Sequence, residues 1–309
     1  MLQETISLQP VDHVKITTIL DNSIDLLMTN TEVAQRIRLV SNAFERPQPI
    51  AEHGFSVLIS VERGEKSGTV LFDTGLNPRN FLYNVDALEI SLADIQTIIL
   101  SHGHADHAMG LSGVVQRLGS RNVPLLLHPD AYLERKLVLP NGEEIALPPP
   151  HKADLQREHI QVIEEVGPSM LFEGMVLISG EVARTTSFER GIPIHYARRE
   201  HAWEPDPLIH VRDKGLVVVT GCGHAGIINI VRNAQVLTGV QDIYAVIGGF
   251  HLSGPLFEPL IPATIAAIQE INPHYLVPGH CTGWVATHEL ARAMPEAFIA
   301  NSVGTSFLL

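Results

Sequence analysis

The sequence predicts an α/β protein, a layered sandwich of two sheets with helices outside. Apolar, β-branched runs come first and then alternate with helix-like segments, in each half of the chain. Several of these runs end in short Gly-containing turns that carry histidine, as expected of side chains held on the rim of a sheet. With 309 residues, 45% hydrophobic and 18% charged, the chain is long and apolar enough to bury a sizeable core.

Val14–Leu20 alternates and is β-branched, so it reads as a strand ending at the turn signal Asp21-Asn22. Phe55–Val61 is a second strand, and a Gly-containing turn leads from it to Thr69–Gly75, which suggests a hairpin-rich start. Ile95–Leu100 is a buried strand, followed by a short helix over 110–118 and a further strand, Val123–Leu127. In the second half Gly215–Thr220 runs into Gly221-Cys222-Gly223-His224, Ile243–Ile247 into Gly248-Gly249-Phe250-His251, and Tyr275–Val277 into Pro278-Gly279-His280-Cys281. Helices are predicted between them over Ala225–Thr238 and Pro259–Ile271, the second stopping before the breaker Asn272-Pro273. The least regular stretch, about 129–207, reads as an excursion that covers the site. No domain boundary or internal repeat stands out, so 1–309 is expected to form one domain.

Charge and cysteine content narrow the partners. A net charge of −13 repels phosphate backbones, which disfavours nucleic acid, while a local cluster of cations still admits a small anionic substrate. Two cysteines, Cys222 and Cys281, make no disulfide framework and fit a reducing cytoplasm. The start of the chain lacks the basic and apolar regions of a signal peptide, and no stretch reaches the roughly 18 apolar residues of a spanning helix. A cytoplasmic protein with no membrane contact is expected, and a homodimer stays open.

The chemistry centres on Ser101-His102-Gly103-His104-Ala105-Asp106-His107. Residues i and i+2 of an extended turn project to one side, so His102 and His104 can bind one divalent ion together. Asp106 and His107 lie a step further and can turn towards a second. A solvated His-rich loop is a poor alternative, because unpaired polar groups in such number are costly at the end of an apolar strand.

The run Ile98 to His107 closely resembles the signature of the metallo-β-lactamase superfamily, and Leu71-Phe72-Asp73-Thr74-Gly75 resembles the Asp-containing turn that precedes it there. Stretches at 51–56, 179–184, 188–189, 221–227, 249–252 and 278–283 are similar to a narrower branch. That branch comprises the dihydropterin-type ribofuranosylaminobenzene 5′-phosphate synthase-like proteins, also described as metal-dependent hydrolases of β-lactamase superfamily II. The resemblance implies a four-layer αββα sandwich and one or two Zn²⁺ ions, with Mn²⁺ or Fe as alternatives. It implies that His224 completes the first metal site and His280 the second. Relatives place a His before the Gly-Asp turn and a bridging Asp inside it, whereas this chain has Gly180-Glu181 and Gly221-Cys222. Cys222 is therefore either a thiolate ligand or a small buried residue that lets the turn close.

Among the remaining residues, His251 is expected as a substrate contact or proton donor, or else a packing histidine. His53 is similar. Asp73 is expected to orient a ligand imidazole through its free N–H. Arg184 could grip an anionic substrate group bidentately, or form a surface ion pair. His151, His159, His195, His201, His210, His274 and His288 have no distinguishing spacing and read as solvated or capping residues.

The expected activity is hydrolysis of a phosphoester, phosphodiester or cyclic ester through metal-bound hydroxide, with Asp106 orienting it. The resemblance equally allows a synthase or transferase on a phosphoribosyl-pterin-like substrate. A non-catalytic metal-binding sensor stays open. Di-iron redox relatives carry a carboxylate in place of the second His of the run and a flavin domain, and this chain has neither.

Overall fold

The computed structural model of the chain describes residues 5–37, 45–138, 141–157, 160–191, 201–203 and 205–309. His159 and His195, on which parts of the sequence reading fall, lie outside them. In chain order the strands begin with β1 (His13–Leu20), β2 (Ala34–Gln35), β3 (Ser56–Arg63), β4 (Lys66–Phe72), β5 (Thr97–Ile99) and β6 (Leu125–Leu127). They continue with β7 (Arg135–Val138), β8 (Glu144–Leu147), β9 (Val162–Glu164), β10 (Ser169–Leu171), β11 (Val176–Ile178) and β12 (Glu181–Ala183). The last are β13 (His201–Trp203), β14 (Pro207–Val211), β15 (Gly215–Thr220), β16 (Ile243–Gly249), β17 (Tyr275–Gly279) and β18 (Ser306–Leu308). The helices are α1 (Pro78–Ala87), α2 (Ala105–Ala108), α3 (Leu111–Leu118), α4 (Lys152–Arg157), α5 (Ile227–Thr238), α6 (Ile261–Ile271) and α7 (Trp284–Ala293).

These elements gather into two compact units, one made of 12–133, 148–164 and 301–309, the other of 1–11, 134–147 and 165–300. The first holds an eight-stranded sheet in the order β2-β18-β1-β3-β4-β5-β6-β9. Its β1, β3 and β4 form the antiparallel meander anticipated from the hairpin pattern, and β4, β5, β6 and β9 run parallel. Ile16, Ile59, Val70, Phe72, Ile98 and Leu125 are all buried here, as is every residue of β5. Helix α1 was not anticipated, although it carries its own start signal. Asn77 accepts a hydrogen bond from the Arg79 N–H with Pro78 as the first helical residue, an arrangement that satisfies one orphan donor and suits proline's fixed φ.

The second unit holds a six-stranded sheet, β10-β11-β14-β15-β16-β17, in which β15, β16 and β17 are parallel. Leu216, Val218, Val246 and Leu276 from these strands pack with Ile227, Ile230 and Val231 of α5, Ile261 and Ile268 of α6, and Leu290 of α7. Every residue of β15 is buried, which explains why its sequence is a continuous apolar run rather than an alternating one. Helix α5 starts two residues later than the pattern suggests, and a 3₁₀ turn at Glu258–Leu260 precedes α6. The short strands β2, β7 to β14 and β18 and the helices α2, α4 and α7 also escaped the sequence reading. Each strand is at most five residues long, too short for periodicity to register.

Candidate metal centre

In the first unit β5 delivers the chain through Leu100 into the histidine run. Ala105–Ala108 then folds as a single helical turn, α2, with His104 at its N-cap position. Gly103 is required by closeness: a Cβ there would run into the backbone carbonyl of Ala131. The run is pinned from behind by Asp73, a fully buried carboxylate at the end of β4 with a left-handed φ of 57°. Asp73 accepts from the Ser101 N–H at 2.7 Å, from the Ser101 hydroxyl at 2.7 Å and from His107 Nδ1 at 2.7 Å. The backbone carbonyl of His107 in turn accepts from the N–H and the hydroxyl of Thr74, which locks the loop to the residue after Asp73.

This network assigns protons. An ionised carboxylate only accepts, so the single hydroxyl proton of Ser101 goes to Asp73. Ser101 Oγ also lies 2.8 Å from His102 Nδ1, and with its proton spent it must accept there. His102 and His107 therefore both carry their proton on Nδ1, leaving Nε2 of each ring as a lone-pair donor. Carboxylate and hydroxyl partners orient metal-binding imidazoles in this way. Nδ1 of His104 faces Nε2 of His102 at 3.0 Å, and the His102 and His107 ring centroids are 4.2 Å apart. Donors sharing a tetrahedral zinc ion with bonds near 2.0–2.1 Å stand about 3.3 Å from one another. The residues thus fit a divalent ion. Asp106, 19% exposed, places a carboxylate oxygen 3.6 Å from His107 Nε2 and 3.6 Å from Nε2 of the more open His53.

In the second unit the donors arrive from three separate turns. Strands β15, β16 and β17 are in register at their carboxyl ends, Thr220 opposite Gly248 and Gly249 opposite Gly279. Beyond those ends lie Cys222 and His224, then His251, then His280 and Cys281, in the position where open α/β sheets hold ligands. His251 and His280 both adopt left-handed backbone, with φ of 46° and 48°, a strain that such sites commonly store. One donor atom each from Cys222, His251 and Cys281 lies within 4.8 Å of the others. The His224 and His251 rings are 4.3 Å apart, and Phe257 meets His251 edge-on. Burial pushes the Cys281 thiol up, but the Cys222 thiol, His280 and His251 together outweigh it and hold the group well below the usual thiol range.

The segment 184–189 shapes this region. Arg184 donates an Nη2 hydrogen bond to the carbonyl of His224 at 3.1 Å, so its guanidinium supports the turn. Glu189 accepts from the N–H groups of Ile228 and Asn229 in the first turn of α5, and burial raises its pKa above the ordinary 4.5. Asn229 accepts from the backbone of Thr185 and Thr186 and donates to the carbonyl of Ala225. Glu189, Asn229 and Cys281 were given no role at the site from sequence, and Ser101 was read only as the start of the run. The signal for Cys281 was its place directly after His280, in the third of three Gly-bearing strand-end turns.

The fold and the donor clusters define an α/β protein of metallo-β-lactamase type with candidate ligand groups for a divalent ion. The chain belongs to the metallo-β-lactamase superfamily, whose family model matches residues 51–227. A relative from Methanocaldococcus jannaschii, 7,8-dihydropterin-6-methyl-4-(β-D-ribofuranosyl)-aminobenzene-5′-phosphate synthase, is 30% identical over 80% of this chain and 87% of its own length. Among solved structures, Tm1679, a metal-dependent hydrolase of the β-lactamase superfamily, aligns over 95% of this chain and 98% of its own at 24% identity, with a TM-score of 0.67. The metallo-β-lactamase fold protein YhfI from Bacillus subtilis covers 96% of this chain and 100% of its own at 14% identity and a TM-score of 0.52. These two likenesses show the fold. No described helix is long and apolar enough to cross a membrane.

Proposed function

We propose that this protein is a metal-dependent hydrolase of a small anionic phosphoester, phosphodiester or cyclic ester. The observation that carries this reading is the Asp73–Ser101 network, which presents Nε2 of His102 and of His107 as lone-pair donors. In the first unit His102, His104, Asp106 and His107 would hold a divalent ion; in the second His224 and His280, with Cys222 as an added thiolate, offer further donors. Zn²⁺ suits imidazole and thiolate donors, and Mn²⁺ or Fe suits the carboxylate-bearing set. A divalent ion bound there supplies Lewis-acid activation of water and of the ester oxygen. Asp106, the one carboxylate within the run, orients the attacking water. His251 returns a proton to the leaving oxygen. His53 contacts the anionic group, and Arg184 keeps the His224 turn in shape. The chain's own charge of −13 argues for a small substrate rather than a nucleic acid, and its two thiols suit the cytoplasm.

A second reading rests on the methanocaldococcal relative: its name is that of a synthase, so the same groups would hold a phosphate while a bond to a pterin-type acceptor forms. The deciding experiment measures metal content and turnover of a generic phosphodiester for the wild type, His104→Ala and Asp106→Ala, alongside formation of the relative's named product. Hydrolysis lost in both variants supports the hydrolase. Product formation without hydrolysis supports the synthase, and full activity and metal in both variants refutes either.

A further inference from the structure

We propose that Cys222 and Cys281 are a redox switch: a peroxide joins them in a disulfide, and a thiol reductant restores them. The consequence for metal binding and turnover rests on the metal-dependent reading above, whereas the bond itself does not. These are the chain's two cysteines, and both belong to one unit. They are buried, 2% and 8% exposed, and their sulfurs lie within 4.8 Å of one another. The approach is built into the backbone. The Cys281 thiol donates to the Cys222 carbonyl at 3.1 Å, across 59 positions of sequence. Phe250 N–H donates to Thr282 Oγ1 at 3.0 Å, which ties the end of β16 to the residue after Cys281. Gly249 keeps the space between the cysteines clear: a Cβ there would stand 2.7 Å from Cys281 Sγ and 3.2 Å from the Cys222 Cα.

Disulfide sulfurs stand about 2.0 Å apart, so the pair must close by no more than about 3 Å, a distance that side-chain rotation about χ1 supplies. The chemistry balances. Cys281, the more exposed of the two, loses its proton, and its sulfur attacks one oxygen of the peroxide. The O–O bond breaks, the departing oxygen leaves as water, and Cys281 becomes a sulfenic acid. The Cys222 sulfur then attacks the Cys281 sulfur. The S–O bond breaks, the S–S bond forms, and a second water carries off the Cys222 proton. Two thiols are oxidised by two electrons and one hydrogen peroxide is reduced to two waters. The bond withdraws the Cys222 thiolate from any ion and recasts the turn that carries His224 two residues on.

Reduced, metal-free full-length protein is treated with hydrogen peroxide, and its free thiols, intact mass and Zn²⁺ affinity are measured before and after dithiothreitol. The proposal expects both thiols to vanish together with the loss of two hydrogens from a monomer, and a peptide map to join Cys222 to Cys281. Zn²⁺ affinity is expected to fall by about tenfold or more in the oxidised protein and to return with dithiothreitol. In Cys281→Ser the crosslink and the peroxide sensitivity of Zn²⁺ binding are both lost, with circular dichroism showing the variant folded. If Cys281→Ser fails to fold, Cys281→Ala is read in its place. Thiols that stay reduced, thiols lost to sulfinic acid or to crosslinks between chains, or a crosslinked protein with unchanged Zn²⁺ affinity overturn the proposal. A reduced protein that binds Zn²⁺ yet turns over no ester counts against the hydrolase reading alone, since the crosslink and the titration are read without substrate.

Discussion

In one unit four donors fall within six consecutive residues, His102 to His107, while in the other Cys222, His251 and Cys281 come from turns after three different strands. The first cluster is local and depends on what stands behind it: Asp73 and Ser101 aim rings that the loop merely supplies. The second depends on strand register, on the Gly249 gap and on the 184–189 segment that braces the His224 turn. A contiguous motif therefore needs a second layer to orient it, and a dispersed one needs a rigid frame to assemble it.

Asp73→Ala should show the largest effect. It strands the Ser101 N–H, the Ser101 hydroxyl and the His107 Nδ1–H in a fully buried place, at a cost of about 4 kcal/mol by denaturant unfolding. Metal analysis should show the loss of an ion as well. An Asp73→Ala protein with wild-type stability and metal content would break the comparison. Glu189→Ala leaves the Ile228 and Asn229 N–H groups unmet at the start of α5, and should cost about 2–3 kcal/mol in the same assay. Gly249→Ala puts a methyl against Cys281 Sγ and the Gly221 carbonyl, so about 1–3 kcal/mol is expected from overpacking in the same assay.

The pH dependence sharpens the picture of the frame. Burial raises the Glu189 pKa above 4.5, so between that value and the raised one the native state binds more protons than the unfolded state. Relative to Glu189→Gln, wild-type stability should fall as pH rises through this window and stay level on either side. A difference that grows with pH would mean the hydrogen bonds to Ile228 and Asn229 outweigh burial. The smallest effect is expected for His288→Ala on the exposed face of α7, within about 0.5 kcal/mol, since its Nδ1 merely meets the Trp284 carbonyl one turn back.

Much of the frame was legible because apolar runs such as Gly215–Thr220 and Ile98–Leu100 are read directly from composition, and their turns from glycine. Helix α1 could have been read from Asn77-Pro78, and was not. Strands β9, β10 and β11 are three residues each and owe their state to the neighbours they pair with, which no local pattern records.

The sequence by itself determined the fold class, the family and the donor-bearing run, because residue type and close spacing suffice to mark the end of a buried strand that carries ligands. Only the tertiary structure decided which nitrogen of His102 and of His107 is left to donate, because that depends on a carboxylate some thirty residues away in the chain. It alone brought Cys281 to Cys222 and His251, because register between parallel strands is a long-range property: side chains that meet at a sheet's edge carry no trace of one another in the order of the chain.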